Sequence, residues 1–282
     1  MTARTVLTIA GLTLREAARR RVLRSLAGLT VVLLSLSAWG FSRIDAEFGG
    51  LTSVESRLVA ALVLNLVMFG LSLIAALGTA FLAGPTLAGE TESGIALAML
   101  ARPVRRSAVL LGKWLGLVTF GSGFVAVAGL AQLLIVQITA GYWPPRPATG
   151  LALLAAQAAV LLTLGLLLST VISPMASGVV AVGLFGATWI AGVVGALGGA
   201  LGNTSVAQVG TVSRMLLPTD GLWRGAMNAF QDTTLLGQFS EAFEGHPFLS
   251  SAGLTLSYLG WATLWVALIL GLAAMAFQRR DL

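Results

Sequence analysis

Few side chains in this chain could do chemistry. Among its 282 residues there are one histidine and no cysteine. The histidine, His246, stands in a loop before a proline, where a structural role is expected, and a single histidine cannot supply the usual pair of zinc ligands. Without cysteine there is no disulfide framework, thiolate ligand or thiol nucleophile. The sequence therefore predicts no metal site and no thiol chemistry.

Nucleotide hydrolysis would need a phosphate-binding loop, and the only lysine available for one is Lys113. The residues before it, Ser107 to Gly112, lack the two glycines that flank four residues ahead of Lys-Ser or Lys-Thr. A serine hydrolase inside the membrane would need a histidine or lysine base, which no predicted span offers. We therefore predict no catalytic residue, no enzyme activity and no cofactor in this chain.

The composition of the chain indicates the kind of fold that holds the remaining polar residues in place. The chain is 57% hydrophobic and 10% charged, whereas soluble domains contain about 25% charged residues. Its 34 glycines fit helices that approach closely in lipid. The net charge of +6 is interpreted as cytoplasmic segments and lipid contact, not nucleic-acid binding. These values predict an all-α integral membrane protein.

Six charge-poor segments are long enough to cross a bilayer, which needs about 20 apolar residues. One long apolar stretch is divided at Ser173-Pro174, because a proline closes one helix before the next begins. The predicted spans are Val22–Phe41, Leu58–Gly84, Leu111–Ile138, Gly150–Ile172, Ala176–Gly199 and Leu254–Phe277.

The distribution of charge predicts the orientation. Residues 1–21, residues 85–110 and the C-terminal tail are rich in arginine, whereas the opposite loops carry more acidic than basic residues. By the positive-inside rule both termini are cytoplasmic, in a bacterial or archaeal cytoplasmic membrane. The predicted divisions of this single transmembrane domain are 1–21 (interface helix), 22–84 (two spans), 85–110 (cytoplasmic loop), 111–199 (three spans), 200–253 (external segment) and 254–282 (last span and tail).

Two segments outside the spans show helical periodicity. In residues 1–21 one arc contains Val6, Leu7, Ala10, Leu14, Ala17 and Ala18 and the opposite arc Arg4, Arg15 and Arg19, although Ile9 and Leu12 do not fit. We expect this helix to lie along the inner leaflet. The external segment predicts two short interfacial helices, the second with Asp220 as its N-cap.

Aromatic residues suit a belt at the outer interface. The candidates are Tyr142, Trp143, Trp223, Tyr258 and Trp261.

Polar residues inside the predicted spans are uncharged. Arg24, Arg57 and Lys113 lie at span ends, where they can snorkel, and this pattern disfavours proton-coupled transport and voltage sensing. Asn65, Gln132 and Gln157 are the candidates for a translocation path. Hydrogen bonding between helices is the alternative role, and the one that we expect.

The loop after the second span has a distinctive order of charges. Glu90 and Glu92 precede an apolar run that ends at Arg102-Pro103, and Arg105 and Arg106 follow before Gly112-Lys113. Carboxylates near the N-terminal end of a short helix are favoured there, and proline ends it.

This order resembles the first cytoplasmic loop of ABC-2 type transporter permeases, including the group of the nitrous-oxide-reductase maturation permease. The likeness extends over the chain: an amphipathic N-terminal helix, six spans, a long last external segment containing Leu217 to Gly225, and the terminal Arg279-Arg280-Asp281-Leu282. It implies the fold of a type V exporter. Gly94-Ile95-Ala96-Leu97 departs from the family, which commonly has an acidic residue in this run.

The resemblance implies that the loop is a coupling helix that docks on a separate ATPase. The residues that would do so are Glu90, Glu92, Ile95, Met99, Leu100, Arg102, Arg105 and Arg106. It also implies two ATPase subunits that carry ATP and Mg²⁺, a second copy of this chain or a homologue, and export of a substrate. A membrane scaffold or sensor driven by the same ATPase is the alternative, and a channel or a membrane enzyme is disfavoured.

Glycines from 183 to 202 could allow a second copy to approach closely, or they could pack helices within one copy. They are Gly183, Gly186, Gly192, Gly195, Gly198 and Gly199.

Overall fold

A computed structural model describes residues 2–48, 54–86, 105–232, 246–250 and 253–279. These residues form nine helices: α1 (Thr2–Arg19), α2 (Arg21–Phe48), α3 (Val54–Gly84), α4 (Arg106–Ala140), α5 (Pro147–Ser169), α6 (Pro174–Ala200), α7 (Thr204–Leu216), α8 (Thr219–Phe230) and α9 (Leu256–Arg279).

Six of these helices are long and apolar enough to cross a membrane: α2, α3, α4, α5, α6 and α9. The six predicted spans are confirmed. Pro147 and Pro174 stand in the first turns of α5 and α6. A backbone N–H there has no partner within the helix, so proline, which lacks one, costs no helical hydrogen bond. The largest shift in a boundary is at the end of α2, which continues to Phe48, seven residues beyond the predicted Phe41. Helix α4 begins at Arg106, five residues before the predicted Leu111.

Helix α5 lies at the centre of the bundle and contacts α3, α4, α6, α8 and α9. Two apolar cores are stacked along it. One contains Leu162 and Leu166 of α5 together with Leu82, Leu110 and Phe277. We name this the loop end, because α3 ends and α4 begins there. The other core contains the buried side chains of α8, and we name it the hairpin end.

Helix α1 packs along α4 through a face that shares Val6, Ala10 and Ala17 with the predicted arc but is turned toward Ile9. Ile9, expected to spoil the pattern, lies in the contact, and Leu7 is 67% exposed. The cause lies on α4. A Cβ at Gly112 would come within 2.7 Å of Ile9 Cβ, and one at Gly116 within 2.6 Å of the Ala10 carbonyl. Because Gly112 and Gly116 have no side chains, the α1 backbone can approach α4 closely there. This close contact determines which face of α1 is buried.

Helices α7 and α8 form a re-entrant hairpin within residues 200–253, the segment predicted to be external. Gly202 adopts a left-handed conformation (φ 69°), which glycine tolerates without strain, and α7 then runs back along α6. The chain turns at Leu217-Pro218, and α8 returns between α5, α6 and α3. All residues of α8 except Arg224 are buried. The second helix is therefore not interfacial but part of the core.

Candidate functional site

The turn of the re-entrant hairpin is held near the middle of the bundle by Gln157. Its Nε2 donates to the Thr219 carbonyl at 3.3 Å, and its Oε1 accepts from Ser72 Oγ at 2.8 Å. The hydroxyls of Thr188 and Thr219 lie 3.0 Å apart. Gln157 thus joins α3, α5 and α8 within one copy of the chain, as expected of an interhelical hydrogen bond.

A buried ion cluster lies beside this turn. Asp220 is 2% exposed, and its Oδ2 accepts from Arg214 Nε at 3.1 Å and from Arg224 Nε at 3.0 Å. Arg224 also donates to the Gly192 carbonyl at 2.7 Å. A Cβ at Gly192 would collide with the Asp220 carboxylate, so glycine at this position makes room for the cluster.

Asp220 is not the N-cap that the sequence indicated. Helix α8 begins at Thr219, and Pro218, two residues before Asp220, occupies the cap position without a side-chain hydrogen bond. The Asp220 carboxylate faces Arg214 and Arg224 instead of the backbone. Burial, and then the neighbouring Arg224, lower the pKa of Arg214, while Asp220 acts in the opposite direction.

Sequence reasoning missed this cluster because it assigned all three charges to an external loop. The signal that could have found it is the spacing Gly192, Gly195 and Gly198 on α6. A Cβ at Gly195 would lie 2.5 Å from Gly210 Cα, and one at Gly198 2.6 Å from Val206 Cγ1. Three glycines on one face indicate that another helix packs against that face.

Aromatic side chains of α9 satisfy the last carbonyls of α7. Tyr258 Oη donates to the Arg214 carbonyl at 3.0 Å, Trp261 Nε1 to Met215 at 3.2 Å, and Trp265 Nε1 to Leu216 at 2.8 Å. The C-terminal carbonyls of a helix lack intrahelical partners, and here three successive ones are paired inside the protein. Trp223, predicted for an outer belt, is 1% exposed and belongs to the core.

The end of α8 is secured in the same way by the link between α4 and α5. Tyr142 Oη donates to the Phe230 carbonyl at 2.8 Å, and Arg146 donates to both the carbonyl and the side-chain oxygen of Asn228, at 3.2 and 2.9 Å. Asn228 in turn donates to the Ser250 carbonyl at 3.0 Å. The whole hairpin is therefore bonded at its turn and at its return.

The other two candidate path residues also bond between elements of one copy. Asn65 Nδ2 donates to the Phe248 carbonyl at 2.9 Å, and Gln132 Nε2 donates to Ser37 Oγ at 2.6 Å. Asn65 Oδ1, Gln132 Oε1, Asp220 Oδ1 and Trp223 Nε1 are buried without a hydrogen-bond partner among the described residues. A role of Asn65, Gln132 and Gln157 in a translocation path stays a prediction.

A cavity of about 360 Å³ opens at the hairpin end. Its lining includes Arg57, Asp232, Tyr142 and Trp143. Burial, and then the Asp232 carboxylate, raise the pKa of Tyr142 to about 12, while Arg57 acts in the opposite direction. His246 lies in the chain segment after α8, and its Nδ1 accepts from the Phe248 N–H at 3.2 Å. This contact is the structural role expected of His246.

At the loop end, two cations of α4 donate to backbone carbonyls of other helices. Lys113 is 3% exposed, and its Nζ lies 2.7 Å from the Thr86 carbonyl just beyond the end of α3. Arg106 Nη1 lies 3.3 Å from the carbonyls of both Phe277 and Gln278 at the end of α9. The expectation that Lys113 snorkels toward headgroups was wrong, because α4 begins early enough to place it inside the packed bundle.

Most of the predicted coupling residues fall outside the described part of the chain. These are Glu90, Glu92, Ile95, Met99, Leu100 and Arg102. Arg105 is exposed and Arg106 is partly buried at the start of α4. Contact of this group with an ATPase stays a prediction.

The glycines of α6 divide between two faces. Gly192, Gly195 and Gly198 pack against the hairpin within the same copy, as described above. A Cβ at Gly183, Gly186 or Gly199 would meet nothing within 4 Å. Only the second group could therefore serve a contact with another chain.

Six membrane-spanning helices around a buried re-entrant hairpin define a multi-pass helical membrane protein. The profile of the family described as "ABC-2 family transporter protein" matches residues 16–282. The chain belongs to this family and is an ABC-2 type transporter permease. A Pseudomonas aeruginosa protein named "Probable ABC transporter permease protein NosY" is 35% identical over 145 residues, which are 48% of this chain and 50% of that protein. The match thus spans about half the length of that relative.

Proposed function

We propose that this chain is the membrane-spanning subunit of an ATP-binding cassette exporter, which moves a substrate outward using ATP hydrolysed by a separate ATPase. The family match over residues 16–282 carries this proposal. The six spans support it, and so does the paucity of titratable residues within them. Because such spans disfavour proton-coupled transport, the energy for transport must come from another source. The ATPase subunits, two per complex, hold ATP and Mg²⁺, and this chain hydrolyses nothing itself.

The complex contains two copies of this permease, or one copy and a homologue, in a bacterial or archaeal cytoplasmic membrane. The open glycines Gly183 and Gly186 support close approach of a second α6. Native mass spectrometry of the complex tests this stoichiometry, and a permease that stays monomeric with its ATPase bound would contradict it.

The charge distribution supports cytoplasmic termini and a cytoplasmic loop over residues 85–110. The chain has no cysteine, so single introduced cysteines report on one site each. In intact cells an impermeant maleimide should label Ser240→Cys and not Ser93→Cys. The reverse pattern would invert the orientation.

The decisive experiment is capture of an ATPase by the full-length chain from its own membranes. Wild-type chain should retain an ATP-hydrolysing partner and bind no nucleotide alone. In the proposed complex Glu90 and Glu92 dock in a basic groove of the ATPase. Reversing both to lysine should abolish capture, because like-charge contacts at an interface can cost several kcal/mol. Glu47→Lys at the opposite end of the bundle, where Glu47 is exposed, is the matched control and should capture normally. Equal capture by both variants would remove Glu90 and Glu92 from the interface.

A further inference from the structure

The described residues on either side of the 87–104 loop are both attached to α4. It follows Thr86, two residues beyond the end of α3, and precedes Arg105, the residue before α4. The Thr86 carbonyl is bonded to Lys113 of α4, 2.7 Å away. Both roots of the loop are thereby fixed to the first turns of a single helix.

The same turns of α4 also hold two further helices. Arg106 donates to the carbonyls of Phe277 and Gln278, at 3.3 Å each, so the end of α9 is attached beside the second root of the loop. Gly112 and Gly116, on either side of Lys113 in sequence, admit the backbone of α1. The start of α4 is therefore where α1, α3 and α9 meet.

The choice of cations for these contacts has a physical reason. The last carbonyls of a helix lack intrahelical partners and carry its partial negative charge, so lysine or arginine donors are favoured there. A lysine at 3% exposure is costly to bury unless its charge is compensated. Because an apolar residue of similar length would pack at this site without that cost, the retained charge indicates a task other than packing.

We propose that Lys113 and Arg106 are positioning residues that keep both roots of the 87–104 loop joined to α4 and α9, so that a force on the loop moves α3, α4 and α9 together. This inference rests on the proposed function, in which an ATPase acts on that loop. An ammonium group has three rotatable donors on a flexible stem. The Lys113 contact can therefore persist while the angle between α3 and α4 changes.

The test compares Lys113→Met with Lys113→Arg in the full-length chain, in lipid nanodiscs with its co-purified ATPase. Methionine keeps the length of the side chain and removes the donor, whereas arginine keeps the donor. In Lys113→Met the permease-dependent rate of ATP turnover should fall about tenfold, which corresponds to about 1.4 kcal/mol. ATPase capture and the thermal midpoint of the permease should remain those of wild type. Lys113→Arg should restore most of the turnover.

Arg24→Met is the matched control, because it removes one positive charge from the same end of the bundle at an exposed position. Its turnover should equal that of wild type. Wild-type turnover in Lys113→Met would overturn the proposal. A parallel fall of turnover, capture and thermal midpoint in that variant would also overturn it, since the residue would then serve stability alone.

A second measurement needs no ATPase and separates failure of this inference from failure of the proposed function. Spin labels at Phe81→Cys on α3 and Leu115→Cys on α4, both partly exposed positions, report the distance between the two helices in nanodiscs. The distance distribution should broaden in Lys113→Met and not in Lys113→Arg. If it does, and the wild-type chain captures no ATPase, the contact stands and the proposed function fails. An unchanged distribution contradicts the contact itself.

Discussion

At the hairpin end of the bundle, two buried or partly buried cations meet a carboxylate, whereas at the loop end the cations of α4 meet backbone carbonyls at the ends of other helices. Asp220 is held by two guanidinium groups, and planar guanidinium–carboxylate contacts define both distance and angle. Lys113 donates to the Thr86 carbonyl through an ammonium group, whose donors can rotate. The comparison teaches that the hairpin end is built to stay in one geometry and that the loop end can pivot without separating.

The largest expected effect is at the hairpin end. Asp220→Asn removes the charge that compensates Arg214 and Arg224, and breaking a buried ion pair from one side costs about 3–5 kcal/mol. Chemical unfolding in detergent should show this loss, whereas Lys113→Met at the loop end should leave the free energy of unfolding almost unchanged. Equal losses in the two variants would erase the distinction between the ends.

Glycine substitutions sharpen the comparison along α6. A leucine at Gly195 would push its side chain into the backbone at Gly210, and overpacking of this kind costs about 1–3 kcal/mol. Gly183→Leu is the matched control on the open face and should change monomer stability by no more than about 0.5 kcal/mol. Thermal unfolding of the two monomeric variants measures the difference. A larger loss for Gly183→Leu than for Gly195→Leu would mean that the two faces have been assigned the wrong way round.

Two tryptophans of the same core isolate one hydrogen bond. Trp265 Nε1 donates to the Leu216 carbonyl, and Trp223 Nε1 has no partner among the described residues. Replacing each by phenylalanine removes similar apolar area, so Trp265→Phe should cost about 1 kcal/mol more than Trp223→Phe. The free energies of unfolding of the two variants decide it, and a smaller cost for Trp265→Phe would argue against capping of α7 by α9.

The smallest effect is confined to alkaline pH. The pKa of Tyr142 is about 12 in the folded protein and about 10 when the chain is unfolded. Between these values the unfolded chain binds fewer protons, so stability falls as the pH rises through this window and is independent of this group below it. Ultraviolet titration of Tyr258→Phe, in which Tyr142 is the only tyrosine, should show ionisation near pH 12. Ionisation near pH 10 would mean that the hydroxyl is not buried as described.

The sequence predicts the spans well because each is specified by its own run of apolar residues. It predicts the hairpin poorly, since burial of α8 depends on Gly192 of α6 and Gly150 of α5, which lie far from it along the chain. The partner of Lys113 could not be found at all from residue types, because a backbone carbonyl has no signature in the sequence. The sequence does predict that Gln157 forms a hydrogen bond between helices, but it does not predict that Thr219 is the partner.

The contact of α1 with Gly112 and Gly116 also sets an order of events during synthesis. These glycines leave the ribosome about a hundred residues after α1, a delay of roughly 5–20 seconds at ordinary rates of translation. For that interval the contact face of α1, with Val6 and Ile9, has no protein to cover it. Because α1 is amphipathic, it can lie on the membrane surface during this interval, with its arginines in water. Helix α1 therefore cannot reach its final position until the start of α4 has been made.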